Sequence, residues 1–427
     1  MAARLSSRER MLAAIRYEAP DYVPCSFMLF GALRARCADE LEFVQKQIEM
    51  GLDAFVELGA GALSLRFDPR VEVRTWRRIV GGADNVVEGA EGERLRRNGQ
   101  TVVEVGQGNR PRRNDSKRNG NGRRYPVIHR EYVTPAGTLR TSVNETDDWP
   151  HGLKVPLFDD YAVPRAQKHL VTGPDDLPAL RYLFTPPTAD DLVAFREHAR
   201  VVKSFAARHG LPVRGGWGML FDVACWLCGI QDLVVMAATA PDVVRELLTI
   251  IQEWNRRRME VVLEAGVDLL VRRAWYEMAD FLSPESYRRL ILPFLKDDVQ
   301  QAHEAGAALG LITTTAYTPL LDMYLESGMD VLIGPDPVQE TRADFPLTKR
   351  KLGGRICLWG GVNGYVTVET GTAEQVRQAV RDAIDQLGPG GGFILSPVDN
   401  VTADNERVWD NVSALLDEWH ACRAYPV

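Results

Sequence analysis

The chain has 427 residues at 47.7 kDa, 45% hydrophobic and 26% charged, with 36 glycines and 24 prolines. That composition buries a large core and excludes wholesale disorder, collagen and coiled coil. The net charge of −7 gives no global field for nucleic acid, and no apolar run approaches the roughly 18–20 residues that span a bilayer.

The opening MAARLSSRERMLAAIR lacks the apolar stretch of an export signal. Six cysteines (Cys25, Cys37, Cys225, Cys228, Cys357, Cys422) are too sparse for a disulfide scaffold in a chain this long. The expectation is a reduced, cytoplasmic protein with no membrane or nucleic-acid partner, and a homodimer is left open.

In chain order, Ser6 and Glu9 form a capping box that starts a helix, and Tyr22–Phe27 reads as the first strand. IEMGLDAFVEL then gives a helix end, Gly51, and a strand over Asp53–Leu58. From Arg66 to Arg165 the sequence alternates in period two (VEVRTW, TVVEVG, VIHREYV, GTLRTSV), which predicts a β-hairpin insertion standing over one end of the fold. Its tip, Asn109–Arg124, is basic but has no interleaved aromatics, so a solvated loop is favoured over a nucleic-acid site.

Strand Leu211–Trp217 follows, then a one-face apolar stripe at Val244, Leu247, Leu248 and Ile251. The helix–glycine–strand unit returns at Gly266, Gly306, Gly328 and Gly388. It predicts strands Val267–Arg273, Ala307–Thr314, Asp330–Gly334 and Gly392–Ser396, with Arg355–Trp359 between the last two. Ser283-Pro284 and the Thr372/Gln375 box cap two of the intervening helices. Eight strands with helical crossovers predict a (β/α)₈ TIM barrel, 1–427 as a single unit carrying the 66–165 insertion between strands 2 and 3. An open doubly wound sheet is the runner-up, and it lacks its Gly-x-Gly-x-x-Gly and Walker A loops.

In a barrel, chemistry belongs to the loops after the strands' C-terminal ends. These carry Asp222, Glu277, Asp336 and Asp399 from four different loops, with Asn363 and Asn400 beside them. Trp217, Trp275, Tyr276, Tyr317 and Tyr365 are available to wall a pocket, although loop capping and packing account for many such residues. Glu277 leaves a buried strand next to two aromatics, where desolvation would raise its pKa and suit a general acid. An ion pair with Arg272 or Arg273 is the equal alternative. His303 in QQAHEAG reads as a helix-end residue, and Cys225-x-x-Cys228 reads as buried thiols ahead of a metal or disulfide.

Several of these segments resemble the uroporphyrinogen decarboxylase superfamily: SSRERMLAAIRYEAPDYVP, LSPESYRRLILPFLKDDVQQAHEAGA, TPLLDMYLESGMDVL, RICLWGGVN and GPGGGFILSP. The likeness spans nearly the whole chain outside the insertion, which itself resembles longer members with a TPAGTLR-like hairpin. It implies a TIM barrel and either decarboxylation or methyl exchange with a corrinoid. Where the decarboxylases carry an arginine-rich segment, this chain has Phe27-Met28-Leu29-Phe30-Gly31, with Arg34 and Arg36 later. Where they carry a pyrrole-binding aspartate, it has Glu57-Leu58-Gly59-Ala60-Gly61. The zinc ligands of the thiol methyltransferases correspond to Ile312, Thr314 and Asp399, so no zinc is expected.

What the resemblance leaves is a corrinoid-linked methyltransferase or demethylase. It would act on a small O- or N-methylated substrate, with aromatic walls suiting an aromatic one. Catalysis is assigned to Glu277, Asp336 and Asp399, and substrate binding to Trp217, Asp222, Trp275, Tyr276, Tyr317, Asn363 and Asn400. The corrinoid (cobalamin) would be supplied free or by a partner protein. The alternatives are a cofactor-free decarboxylase, using Arg272 or Arg273 to hold a carboxylate, and a non-catalytic ligand-binding barrel.

Overall fold

The structure, a computed structural model, describes residues 5–18, 20–78, 92–97, 100–105, 125–313, 315–339 and 344–424. The chain divides into two compact units. One comprises Met1–Ser64, Pro187–Met219 and Asn255–Val427; the other comprises Leu65–Pro186 and Leu220–Trp254. The expected insertion falls inside the second unit, which extends beyond it to Pro186 and includes Leu220–Trp254.

Strands are numbered in chain order: β1 (Val56–Gly59), β2 (Glu72–Arg78), β3 (Gly92–Arg97), β4 (Gln100–Val105), β5 (Val127–Thr134), β6 (Gly137–Asn144), β7 (Ala166–Lys168), β8 (Val213–Met219), β9 (Leu269–Arg273), β10 (Ala308–Ile312), β11 (Val331–Ile333), β12 (Cys357–Asn363) and β13 (Phe393–Val398). In the first unit, a seven-stranded sheet runs β1-β8-β9-β10-β11-β12-β13 with every pairing parallel.

The predicted first strand closes this sheet into the expected barrel. On one side Leu395 N donates to Pro24 O (2.8 Å) and Ser26 N to Leu395 O (2.9 Å). On the other, Asp53 N donates to Cys25 O (2.8 Å). Seven of the eight strands read from the sequence form this parallel sheet, while over Tyr22–Phe27 the chain makes an isolated bridge, Cys25 to Leu395, in place of a regular strand.

The elements form for the reasons the sequence supplies. The capping boxes at Ser6/Glu9 and Thr372/Gln375 are both made, and Ser283 accepts from Ser286 N ahead of Pro284. Gly51, Gly266, Gly306 and Gly328 follow their helices with φ between 76° and 80°, the left-handed conformation that glycine adopts without strain. Gly388 departs from this expectation. It stays right-handed (φ −70°), and the reversal is delayed to Gly390–Gly392. There the Tyr17 ring occupies the space a Cβ on Gly392 would need, 2.1 Å from its nearest atom.

Alternation along the strands sorts their side chains. Leu269, Val271, Ile312, Val331, Ile333, Cys357, Trp359 and Ile394 pack into one buried cluster, joined by Met11, Ala14 and Ile15 of the helix Ser7–Ile15. This cluster is the barrel interior. The residues between them in sequence, such as Leu270 and Arg272, face the surrounding helices.

In the second unit, a six-stranded sheet runs β3-β4-β2-β5-β6-β7. Its β2–β5, β5–β6, β6–β7 and β3–β4 pairs are antiparallel. The period-two insertion is thus a sheet, with the difference that β2 and β4 pair in parallel. The predicted basic tip, Asn109–Arg124, lies outside the described residues. Among the described residues, no single helix is long and apolar enough to cross a membrane.

Candidate functional site

Three of the predicted residues meet at the ends of β11, β12 and β13. Asp336 is fully buried just past β11. Its Oδ1 accepts from Val338 N (2.7 Å) and Gln339 N (3.2 Å), and its Oδ2 accepts from Asn363 Nδ2 (2.7 Å) at the end of β12. Burial pushes the Asp336 carboxyl up, and the neighbouring Asp399 carboxylate adds to the rise, while the three donors oppose it. Asp399 follows β13 with a left-handed backbone (φ 67°), a conformation aspartate tolerates better than most residues. Next to it, Asn400 Oδ1 accepts from Gly31 N at 2.8 Å and so ties the last strand's loop to the first strand's.

Glu277 is held by an arginine. Arg272 and Arg273 are consecutive, so they point to opposite faces of β9. Arg272 faces outward, and Glu277 follows it there. Arg272 Nη2 donates to Glu277 Oε2 (2.7 Å), and Arg272 Nη1 donates to Asp298 Oδ2 (2.7 Å) on the helix Leu292–Glu304. All three side chains are almost completely buried. Burial and the Glu277 charge also push the hydroxyl of Tyr287 up. The ion-pair alternative is therefore the one the structure carries for Glu277.

Arg273, on the interior face, lies over the Trp275 ring with its guanidinium carbon 3.9 Å from the centroid. Tyr276 packs edge-on against Phe281 at 5.6 Å, and Tyr317 is completely buried. Asp222 is fully buried on the helix Phe221–Cys228 of the second unit. The side chain of Trp217, on β8, is outside the described residues.

A cavity of ≈ 280 Å³ lies beside the end of the first strand, and of the residues proposed from the sequence for substrate binding Asn400 lines it. Beyond the Cys25–Asp53 hydrogen bond, the segments after the first strand and into β1 line it through Phe27–Gly31, Phe55 and Glu57. Arg34, Glu40, Phe43, Gln47, Arg214 and Asn400 complete it. Arg214 and Glu57 are register partners on β8 and β1. Arg214 Nε donates to Glu57 Oε2 at 2.6 Å, with the guanidinium 3.8 Å from the Phe55 centroid. The available signal was a single charge in each of two otherwise apolar strand runs, which buried strands carry only when paired.

Ile312 is packed in the barrel interior and cannot ligate zinc, and Thr314 is outside the described residues. Among the described residues, no group of three or more His, Cys, Asp or Glu is disposed to hold a metal. Cys225 and Cys228 are buried thiols, and burial pushes Cys228 up to about 12. His303 lies against Asp330 at 2.8 Å near its helix end.

Comparison with known proteins gives a consistent family. A family model described as uroporphyrinogen decarboxylase (URO-D) matches residues 149–421. A uroporphyrinogen decarboxylase from Thioalkalivibrio sulfidiphilus is 26% identical over 184 residues, 42% of this chain and 49% of that protein. The methylcobamide:CoM methyltransferase MtaA of Methanosarcina barkeri is 22% identical over 216 residues, 49% of this chain and 59% of that protein. The chain thus spans between half and three fifths of the curated relatives it matches. A solved methyltransferase from Methanosarcina mazei superposes with a TM-score of 0.57 at 16% identity, over 98% of this chain and 99% of that one, which establishes a shared fold.

Proposed function

The chain belongs to the uroporphyrinogen decarboxylase family, and from that premise we propose that it is a methyltransferase. It would take a methyl group from a small O- or N-methylated donor and pass it to a corrinoid, free or carried by a partner protein. The observation that carries this reading is the pair of carboxyls at the ends of β11 and β13. Asp336 is buried, pushed up, and held by Asn363 beside Asp399.

Moving a methyl group from an uncharged ether or amine breaks a C–O or C–N bond. The leaving atom keeps the electron pair and needs a proton. In this proposal the Asp336–Asp399 pair carries that proton, held by Asp336, which burial pushes up, and passed through Asp399 to the leaving atom. Asn363 fixes Asp336, and Asn400 fixes the loop that carries Asp399. Glu277 is not part of this chemistry. The corrinoid is a substrate of the reaction and supplies the nucleophile. MtaA, among the relatives, is a methylcobamide-using methyltransferase by name, which supports this assignment.

One observation favours a second reading. Arg34 and Arg214 line the cavity, and cations are what a cofactor-free decarboxylase needs to seat a carboxylate. Incubating the pure protein with Co(I) corrinoid and a panel of methyl donors tests the first reading by methyl-Co(III) absorbance. Release of CO₂ from carboxylated substrates without methylated corrinoid would replace it with the second.

A further inference from the structure

The amide of Asn400, which lines the cavity beside the first strand, is fixed in one orientation. An isolated parallel bridge pairs the backbones of Leu29 and Asn400, and Gly31 N donates to Asn400 Oδ1 at 2.8 Å. A backbone N–H only donates, so this bond assigns the oxygen and makes Nδ2 the free end of the amide. Gly31 makes the fit possible, because a Cβ there would lie 2.9 Å from Oδ1 and 3.2 Å from Nδ2. Among the described residues, Asn400 Nδ2 donates to no acceptor.

The rest of the lining offers a ligand no surplus charge and much apolar surface. Glu57 is matched by Arg214 at 2.6 Å and Glu40 by Arg34 at 3.7 Å, so two cations balance two carboxylates. Gln47 turns its amide nitrogen to the Phe43 carbonyl at 3.5 Å. Leu29, Phe43 and Phe55 are half-buried and face the cavity, with the Arg214 guanidinium lying on the Phe55 ring. An ion of either sign would lose water here without meeting a spare counter-charge. A ligand with no acceptor would strip water from Nδ2 and leave it unpaired. An uncharged ring carrying an oxygen avoids both costs, with its ring on the apolar wall and its oxygen at Nδ2.

We infer that this cavity binds a neutral aryl methyl ether, with Asn400 Nδ2 donating to the ether oxygen. The inference deepens the proposed function and rests on it at one point, that the bound ether is the methyl donor. The methyl carbon then gains its new bond from the reduced corrinoid's electron pair as the C–O bond breaks. The oxygen keeps the bonding pair, and the proton from the Asp336–Asp399 pair makes it a neutral phenol. Asn400 follows Asp399 directly in the chain, so one loop both holds the oxygen and supplies its proton. Asn400 also sets specificity, since a quaternary ammonium nitrogen has no lone pair to accept its hydrogen bond.

Isothermal titration of the full chain with anisole, ethylbenzene and sodium benzoate tests the binding without any turnover. Anisole and ethylbenzene differ by an oxygen against a methylene at the same place, so their affinity ratio reads the Nδ2 bond. Anisole should bind saturably at about one per chain and about three- to tenfold tighter than ethylbenzene, with benzoate weaker than either. Asn400→Asp keeps an oxygen for Gly31 N and removes the donor, so the ratio should fall to about one or below. Should Asn400→Asp fail to fold, Gly31→Ala, which displaces the amide, should give the same fall and carries the test. No anisole binding, a wild-type ratio of about one, a ratio that the folded variant keeps, or benzoate binding tighter than anisole overturns the inference. Methyl transfer from another uncharged donor without anisole binding would remove the cavity assignment and leave the methyl-transfer reading. If anisole binds as described but no donor methylates Co(I) corrinoid, the cavity assignment stands and the methyl-transfer reading falls.

Discussion

Replacing Glu277 with glutamine separates the outward ion centre from the catalytic face. Arg272 is buried between two carboxylates, each 2.7 Å away. Removing one partner of a buried pair costs about 3–5 kcal/mol when the other charge is left uncompensated. In Glu277→Gln, Asp298 still faces Arg272 and the amide oxygen still accepts one hydrogen bond, so the low end, about 3 kcal/mol, applies. At roughly 2 °C per kcal/mol for a unit of this size, the melting temperature should fall by about 6 °C. Turnover per folded molecule should change less than threefold. Calorimetry together with rates normalised to folded protein measures both. A double replacement with Asp298→Asn should be clearly non-additive, because the two carboxylates share one guanidinium. An unchanged melting temperature with turnover lowered a hundredfold or more would refute this and return Glu277 to the role of general acid.

Other outcomes follow from the same structure. Asp399→Asn should lower turnover of an uncharged donor about 10²–10⁴-fold with little change in melting temperature, measured by initial rates and calorimetry. Because the folded state raises the Asp336 pKa, it holds that proton to higher pH than the unfolded chain does. This term should therefore stabilise the protein increasingly as pH falls from above the raised value toward the ordinary aspartate range, and Asp336→Asn should flatten that slope in denaturant titrations against pH. Cys228, pushed up to about 12, stays a thiol, so alkylation followed by mass spectrometry should leave it unlabelled until denaturant is added. Gly334→Ala should cost more than about 4 kcal/mol or abolish soluble expression, since φ is 113° and a Cβ would lie 1.7 Å from the Thr313 carbonyl oxygen.

The barrel was legible because its units repeat locally. A helix end, a glycine that must be left-handed and an apolar strand run are written side by side, and at Gly51, Gly266, Gly306 and Gly328 the backbone follows them. Asp336, Asn363 and Asp399 were each read as site residues without being grouped, and it is strand order that brings the C-terminal ends of their strands together. The direction of Glu277 was not legible. In VDLLVRR both faces of the strand are buried, so no alternation distinguishes the inward arginine from the outward one, and the glutamate's face depends on that choice. The cavity was equally hidden. It depends on Arg214 and Glu57, 157 residues apart, meeting across a parallel pair, and on residues lining it from a helix and two loops. No local pattern encodes either.

The central claim, methyl transfer assisted by the Asp336–Asp399 pair, is tested most directly by following two products in one reaction. Wild-type protein and Asp399→Asn are each incubated with Co(I) corrinoid and a ¹³C-methyl-labelled uncharged donor, and methyl-Co(III) and CO₂ are quantified together. The account predicts labelled methyl-Co(III) with wild type, its near loss in Asp399→Asn, and no stoichiometric CO₂. Substrate-dependent CO₂ release without methylated corrinoid, or equal methyl transfer by the two proteins, would contradict it.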